Sequence, residues 1–103
     1  MTSSEGPRYR VIYSEVVRKM VRGLADKARD QGLLDEFLSA LRTTDLRLNA
    51  DPGEFGEVNY HLKYMGLEVR HAVVGFLSVH FAVDAVRFLV YVQKFEISSL
   101  RPR

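Results

Sequence analysis

The stretch LEVRHAVVGFLSVHFAVD, from Leu67 to Asp84, decides the fold of this chain. Apolar and polar residues alternate through both halves of it, which is the period of β-strands, and Gly75 lies between the halves where a turn is needed. The stretch therefore predicts two antiparallel strands. It also carries Arg70, His71 and His80, so these side chains either perform chemistry or only border a sheet.

The residues before this stretch predict one strand and two helices. YRVIYS at 9–14 alternates like a strand, and its last residue, Ser14, is a good N-cap for a helix. Apolar residues then recur at helical spacing as far as Gly32, and a second apolar stripe runs from Leu34 to Leu48. Pro52 ends the second helix. Because the link between the two helices is short, they should pack as an antiparallel hairpin.

The residues after Gly56 complete a sheet. VNYHLKYM at 58–65 is a strand or a loop, and RFLVYVQKFEI at 87–97 is the most β-prone stretch of the chain. This order predicts an α+β, two-layer domain in which an N-terminal strand and an α-hairpin pack on one face of a small antiparallel sheet. The other sheet face stays open. We expect a single domain at 8–97, a flexible N-terminal arm at 1–7 and a basic C-terminal tail at 98–103.

Composition narrows the class of protein. The 103 residues are 47% hydrophobic and 27% charged, which predicts one folded core. No apolar run is long enough for a membrane helix or a secretory signal, so we expect a cytoplasmic protein without a membrane partner. The absence of cysteine excludes disulfides, thiolate nucleophiles and zinc ribbons. A formal net charge of +2 is compatible with nucleic-acid binding only if the basic residues cluster on one surface.

From Tyr9 to Phe95 the chain resembles the RelE/ParE family of bacterial toxins from toxin–antitoxin systems. The resemblance rests on YRVIYS running straight into a helix, LNADPGEFGE after the helical hairpin, the turn at Gly75, VHFAVD, and a last strand rich in valine and aromatic residues. It implies the fold described above and a cognate antitoxin as partner. It also implies messenger RNA on the ribosome as the target of one branch of the family and gyrase as the target of another.

The RNA-cleaving members use basic residues on the open sheet face. There, cations stabilise the charge that builds on a phosphate when a ribose 2′-OH attacks it. Arg70 matches the basic position on the second strand. Glu68, however, lies where a cation is common, and Phe76 and Leu77 replace the arginine expected after the hairpin glycine. The resemblance therefore implies a degenerate set of catalytic charges.

An endoribonuclease acting on messenger RNA remains the enzymatic alternative. Arg70 would hold the phosphate, and His71 or His80 would be the acid–base group, a role that suits histidine near neutral pH. Lys63 and Lys94, together with Arg70, would bind the nucleic acid.

The orientation of the strand at 77–84 can be argued in two ways. By pattern alone, its apolar residues Leu77, Val79 and Phe81 should face the helices and leave His80 on the open face. By the family register the reverse holds, and we follow that register. It makes His80 a hydrogen-bonded core histidine and makes Leu77, Val79 and Phe81 an apolar, partner-binding patch on the open face.

The leading hypothesis is therefore a toxin-family protein that binds a cognate antitoxin. A third hypothesis is a non-toxic homodimeric interaction domain. We expect no cofactor and no metal, because His61, His71 and His80 lack the spacing of ligand pairs. We also expect no serine nucleophile, because Ser78 is not in a G-x-S-x-G turn.

Overall fold

The computed structural model describes residues 8–98 as a five-stranded sheet with two helices on one face. In chain order the elements are β1 (Arg10–Tyr13), α1 (Glu15–Asp30), α2 (Leu34–Ala50), β2 (Glu57–Leu62), β3 (Leu67–Val74), β4 (Leu77–Asp84) and β5 (Leu89–Ile97), with 3₁₀ turns at Pro52–Glu54 and Lys63–Met65. The predicted α+β architecture is confirmed. The predicted arm at 1–7 and the tail beyond Ser98 lie outside the described residues.

The sheet is mixed, with strand order β1-β5-β4-β3-β2. β2 to β5 form an antiparallel meander, as the alternating sequence predicts. β1 joins that meander parallel to β5, with Val11 opposite Val90. The antiparallel strands that the sequence predicts are β2 to β5, and β1 runs parallel to β5 because the helical hairpin returns the chain so that both strands run in the same direction.

The helical hairpin begins and ends where the sequence signals predict. Ser14 caps α1, and its Oγ accepts a hydrogen bond from the backbone N–H of Val17 at 3.1 Å. Gly32 follows α1 with φ of 74°, a left-handed conformation that glycine adopts easily. At the end of α2, the side chain of Asn49 donates to the carbonyl of Tyr9 at 2.6 Å, which ties the hairpin to the start of β1.

The core lies between the hairpin and one face of the sheet. The buried hydrophobic residues of that cluster are Val17, Ala28, Phe37, Ala40, Leu48, Phe55, Ala72, Leu77, Val79, Phe81, Val83, Val90, Val92 and Phe95. The buried hydroxyl of Thr44 donates to the carbonyl of Ala40, so it is not left without a partner. No helix within residues 8–98 is long and apolar enough to span a membrane.

Two β-bulges interrupt the ladders of the sheet. In β2 the register shifts between Val58 and Tyr60, so Asn59 is an extra residue. In β5 the register shifts beside His80, and Gln93 is the extra residue. A bulge redirects the side chains that follow it, and bulges are common beside functional sites. Both bulges of this sheet lie next to the same pair of histidines.

Candidate functional site

The open face of the sheet, opposite the helices, carries a polar row across three strands. His71 of β3 lies directly opposite His80 of β4, and His80 lies directly opposite Lys94 of β5. Residues that are paired in this way project from the same face. Two imidazoles and one ammonium group are therefore neighbours on an accessible surface. We call this set the histidine–lysine row.

His71 is oriented by the bulge in β2. Its Nδ1 lies 2.6 Å from Oδ1 of Asn59, which fits an imidazole N–H that donates to the amide oxygen. That arrangement leaves Nε2 of His71 as an acceptor. The ring of His71 also stacks on that of His80, with 5.8 Å between ring centroids and 24° between planes. The two imidazoles are thus held side by side.

At the other end of the row, Glu96 lies between His80 and Lys94. Its carboxylate is 3.6 Å from Nε2 of His80 and 3.5 Å from Nζ of Lys94. The side chains of Glu96 and Lys94 are each about half exposed, so solvent screens both pairs. When His80 is protonated, this arrangement pairs it with a carboxylate and keeps it beside a second positive charge.

Two tyrosines lie one step along the strands from the histidine–lysine row, on the same face. Tyr60 is opposite Val69, and Tyr91 is opposite Ala82, which itself pairs with Val69. Residues two apart along a strand are separated by about 7 Å, so this second row runs parallel to the first. The open face thus combines polar and charged groups with aromatic rings.

Arg70 is not on the open face, so the prediction that it binds a phosphate on that face is wrong. Its side chain is 8% exposed and lies on the helix side of the sheet, opposite Phe81. The guanidinium donates to the carbonyls of Phe55 and Gly56 at 3.1 and 3.0 Å, and to Glu68 at 2.7 Å. Arg70 therefore holds the loop before β2 against the sheet.

The predicted partner-binding patch is also wrong in location. Leu77, Val79 and Phe81 are at most 1% exposed and belong to the core beneath the helices. Phe81 stacks on Phe55, with ring centroids 5.8 Å apart. His80 accordingly lies on the open face with its side chain 28% exposed, and it is not a core histidine. The alternating pattern of β4 was the correct guide, and the family register was not.

The other predicted site residues lie apart from this row. Lys63 is in the 3₁₀ turn after β2, beyond the end of that strand farthest from His71. His61 contacts Glu68 at 3.1 Å through Nε2. Lys94 is the one predicted basic residue that the fold brings beside the histidines. Within residues 8–98, no three histidine or carboxylate side chains are grouped so that they could hold a metal ion.

Sequence reasoning missed Asn59, Glu96, Tyr60 and Tyr91 as members of this face. Tyr91 and Lys94 are three residues apart, so simple alternation places them on opposite sides, and only the bulge at Gln93 brings them to one side. No protein-family model matches this chain, and no curated protein or solved structure matches it.

Proposed function

We propose that this protein is a RelE/ParE-like toxin-family protein that cleaves RNA on the open face of its sheet. The observation that carries the proposal is the row of His71, His80 and Lys94 on three adjacent strands. Transfer at a phosphodiester needs one group that takes a proton, one that gives a proton, and a cation near the phosphoryl oxygens. The row supplies one group of each kind.

Each group of the row has its own role in this cleavage. His71 is the general base, because its Nδ1 faces Asn59 and its Nε2 is left as an acceptor. It takes the proton of a ribose 2′-OH as that oxygen forms a bond to the adjacent phosphorus. His80 gives a proton to the 5′-oxygen as the P–O5′ bond breaks. The products are a 2′,3′-cyclic phosphate and a 5′-hydroxyl, and Lys94 stabilises the charge on the phosphoryl oxygens in between.

The tyrosine row supports RNA as the substrate class. Single-stranded RNA is recognised largely by stacking of splayed bases on aromatic rings. Tyr60 and Tyr91 lie on the same face as the histidines, one step along the strands. A phosphate at the histidine–lysine row therefore has aromatic rings within reach of its neighbouring bases.

The test is cleavage of naked and ribosome-bound messenger RNA by the purified protein. We expect products that end in a 2′,3′-cyclic phosphate and a bell-shaped pH–rate profile, and a loss of about 10²-fold or more in His71→Ala and His80→Ala. Lys63→Met is the matched control for Lys94→Met, because Lys63 lies outside the row. Intact message with wild type, or equal cleavage by the histidine variants, would contradict the proposal.

Binding of a cognate antitoxin is the second candidate function. The apolar open face that originally motivated it is not there, because Leu77, Val79 and Phe81 are buried. Two other observations favour antitoxin binding. The order of the strands and helices is the one on which the resemblance to the toxin family rests, and an apolar groove lies on the helical hairpin.

The test for the second candidate uses the neighbouring open reading frame. We expect a small acidic protein that co-purifies with this chain and relieves growth inhibition when the two are expressed together. Failure to co-purify, with unimpaired growth when the chain is expressed alone, would contradict it.

A further inference from the structure

The two tyrosines of the open face lie on either side of the two histidines. Tyr60 of β2 is the diagonal neighbour of His71 on β3. Tyr91 of β5 is the diagonal neighbour of His80 on β4. Diagonal neighbours on a sheet are about 7–8 Å apart, which is within reach of an aromatic side chain. Each histidine therefore has one tyrosine beside it, on the side away from the other histidine.

The two tyrosine rings are too far apart to contact neighbouring bases that are themselves stacked. Two strands separate β2 from β5, so the backbones of Tyr60 and Tyr91 are about 14 Å apart. The row between them consists of Val69 and Ala82, which are buried. Neighbouring bases in a nucleic-acid stack are only about 3.4 Å apart. Two adjacent nucleotides can therefore reach both rings only when their bases point away from each other.

The two rings also differ in their surroundings. Tyr60 lies on an edge strand of the described sheet and is 53% exposed, so its ring is open to solvent. Tyr91 is half-buried, and Ile12 of β1 lies directly opposite it on the same face. Because Ile12 is itself 38% exposed, it adds apolar surface beside the ring of Tyr91. A base at Tyr91 thus has a second apolar neighbour.

We propose that the two nucleotides flanking the cleaved phosphate bind splayed apart, with the 5′ base on Tyr60 and the 3′ base on Tyr91. This inference rests on the RNA cleavage proposed above, because the roles of the histidines set the polarity. His71 takes the proton of the attacking 2′-OH, which belongs to the 5′ nucleotide, so that nucleotide lies toward β2. His80 gives a proton to the leaving 5′-oxygen, which belongs to the 3′ nucleotide, so that nucleotide lies toward β5.

This binding mode defines the class of RNA that the protein cleaves. Paired RNA keeps its bases stacked inside a helix, so a duplex cannot place one base on each ring. Stacking tolerates any base, because every base has a π-face. The protein should therefore cleave single-stranded RNA with little preference for the two flanking bases, and it should spare the same sequence in a duplex.

The experiment follows the tyrosine ring signals by NMR while the full chain binds dinucleotides that contain a single phosphodiester. The 5′ sugar is 2′-deoxyribose, so the ligand cannot be cleaved and the measurement does not depend on catalysis. One ligand has adenine at both positions, and two others lack either the 5′ or the 3′ base. Tyr60→Phe and Tyr91→Phe assign the signals. Tyr64, 87% exposed in the turn after β2, is the control.

We expect the complete dinucleotide to shift the ring signals of Tyr60 and Tyr91 but not those of Tyr64. Loss of the 5′ base should abolish the shift at Tyr60 alone, and loss of the 3′ base should abolish the shift at Tyr91 alone. Each missing base should weaken binding by about tenfold, as expected for stacking on an aromatic ring. The loss should be larger for the 3′ base, because Ile12 adds to that contact. In Tyr60→Ala, removing the 5′ base should weaken binding no further.

Three results would overturn the binding mode. The reverse pattern, in which the 5′ base shifts Tyr91, would overturn the polarity while leaving RNA cleavage intact. Unshifted tyrosine signals in the presence of excess dinucleotide would overturn the contact with the bases. Equal cleavage of single-stranded and duplex RNA would show that splaying is not required. The expected shifts, together with uncleaved RNA, would support the binding mode and contradict only the proposed cleavage.

Discussion

Lys94 lies directly opposite His80, although an uninterrupted ladder between β4 and β5 would place Gln93 there. The extra residue in β5 is absorbed by a bulge, so Val92 and Phe95 both face the core while Lys94 faces outward. Without the bulge, Lys94 would be directed toward the helices and Phe95 toward solvent. The cation beside the histidines therefore depends on one irregular position in the strand.

This relationship predicts that two single-residue deletions will have matched stability and different function. Deleting Gln93 or deleting Lys94 gives the same regular ladder, because either change removes the extra residue. The first keeps an ammonium opposite His80, and the second puts an amide there. We expect both deletion variants to unfold cooperatively, with free energies of unfolding within about 1 kcal/mol of each other. Of the two variants, we expect only the one that lacks Gln93 to cleave RNA. If the protein lacking Gln93 does not fold, the bulge has a structural role beyond absorbing one residue.

Replacing Arg70 should affect stability before it affects function. Arg70→Ala removes three donated hydrogen bonds, which leaves two loop carbonyls without their partner and Glu68 with only its contact to His61. We expect a loss of about 3 kcal/mol in the free energy of unfolding, measured by chemical denaturation. Arg42→Ala, at an exposed position, is the control and should change stability by less than about 0.5 kcal/mol. Unchanged stability of Arg70→Ala would show that the buried guanidinium does not hold the loop.

Gly56 and Gly66 form a matched pair that separates backbone strain from steric overlap. Both have positive φ, 74° and 68°. A Cβ on Gly56 would lie 2.0 Å from the carbonyl oxygen of His71, whereas a Cβ on Gly66 would meet nothing within 4 Å. We expect Gly66→Ala to cost about 1 kcal/mol and Gly56→Ala to cost clearly more, with displacement of His71. Thermal unfolding of the two variants tests this, and equal costs would contradict it.

Asp84 should make the stability of the protein sensitive to acid. The backbone N–H of Arg87 donates to its carboxylate at 3.0 Å, and this bond, with the Arg87 guanidinium, lowers the pKa of Asp84 although burial opposes the change. A lowered pKa means that the stabilisation is complete above the ordinary value of 3.8 and is lost as pH falls through the lower, folded value.

The comparison for Asp84 is Asp84→Asn, which keeps an oxygen for the backbone but has no charge. The excess stability of wild type should be constant between about pH 5 and 7 and should shrink below about pH 4. Denaturant titrations at several pH values measure it. An excess that does not change down to the acid limit of folding would contradict the assignment.

Much of the fold follows from local sequence signals. Ser14, Gly32 and Pro52 mark the helical hairpin, and Gly75 marks the turn between β3 and β4, because each residue acts through its own backbone or side chain. The parallel pairing of β1 with β5 could not be predicted from such local signals. It depends on a pairing between the two ends of the domain, which no local pattern encodes.

The candidate site was only partly predictable. His71 and His80 were identified as candidates, but the family register that we followed places His80 in the core, whereas the strict alternation of β4 indicates the open face on which it lies. Arg70 is in phase with Ala72 and Val74, which indicates the core side, but its burial also requires carbonyls from a loop fifteen residues earlier. The position of Lys94 required a bulge, and a bulge is set by how the whole strand packs rather than by Gln93 alone.

The pairing of β1 with β5 has a consequence for synthesis on the ribosome. Strand β1 leaves the exit tunnel before the rest of the domain, yet its hydrogen-bonding partner around Leu89 is among the last residues of the domain to be made. Until then, α1 and α2 can form, but the sheet that they cover is incomplete. Cooperative folding of the domain must therefore wait until β5 has been made, and a truncated nascent chain that stops before β5 exposes the apolar face of the meander.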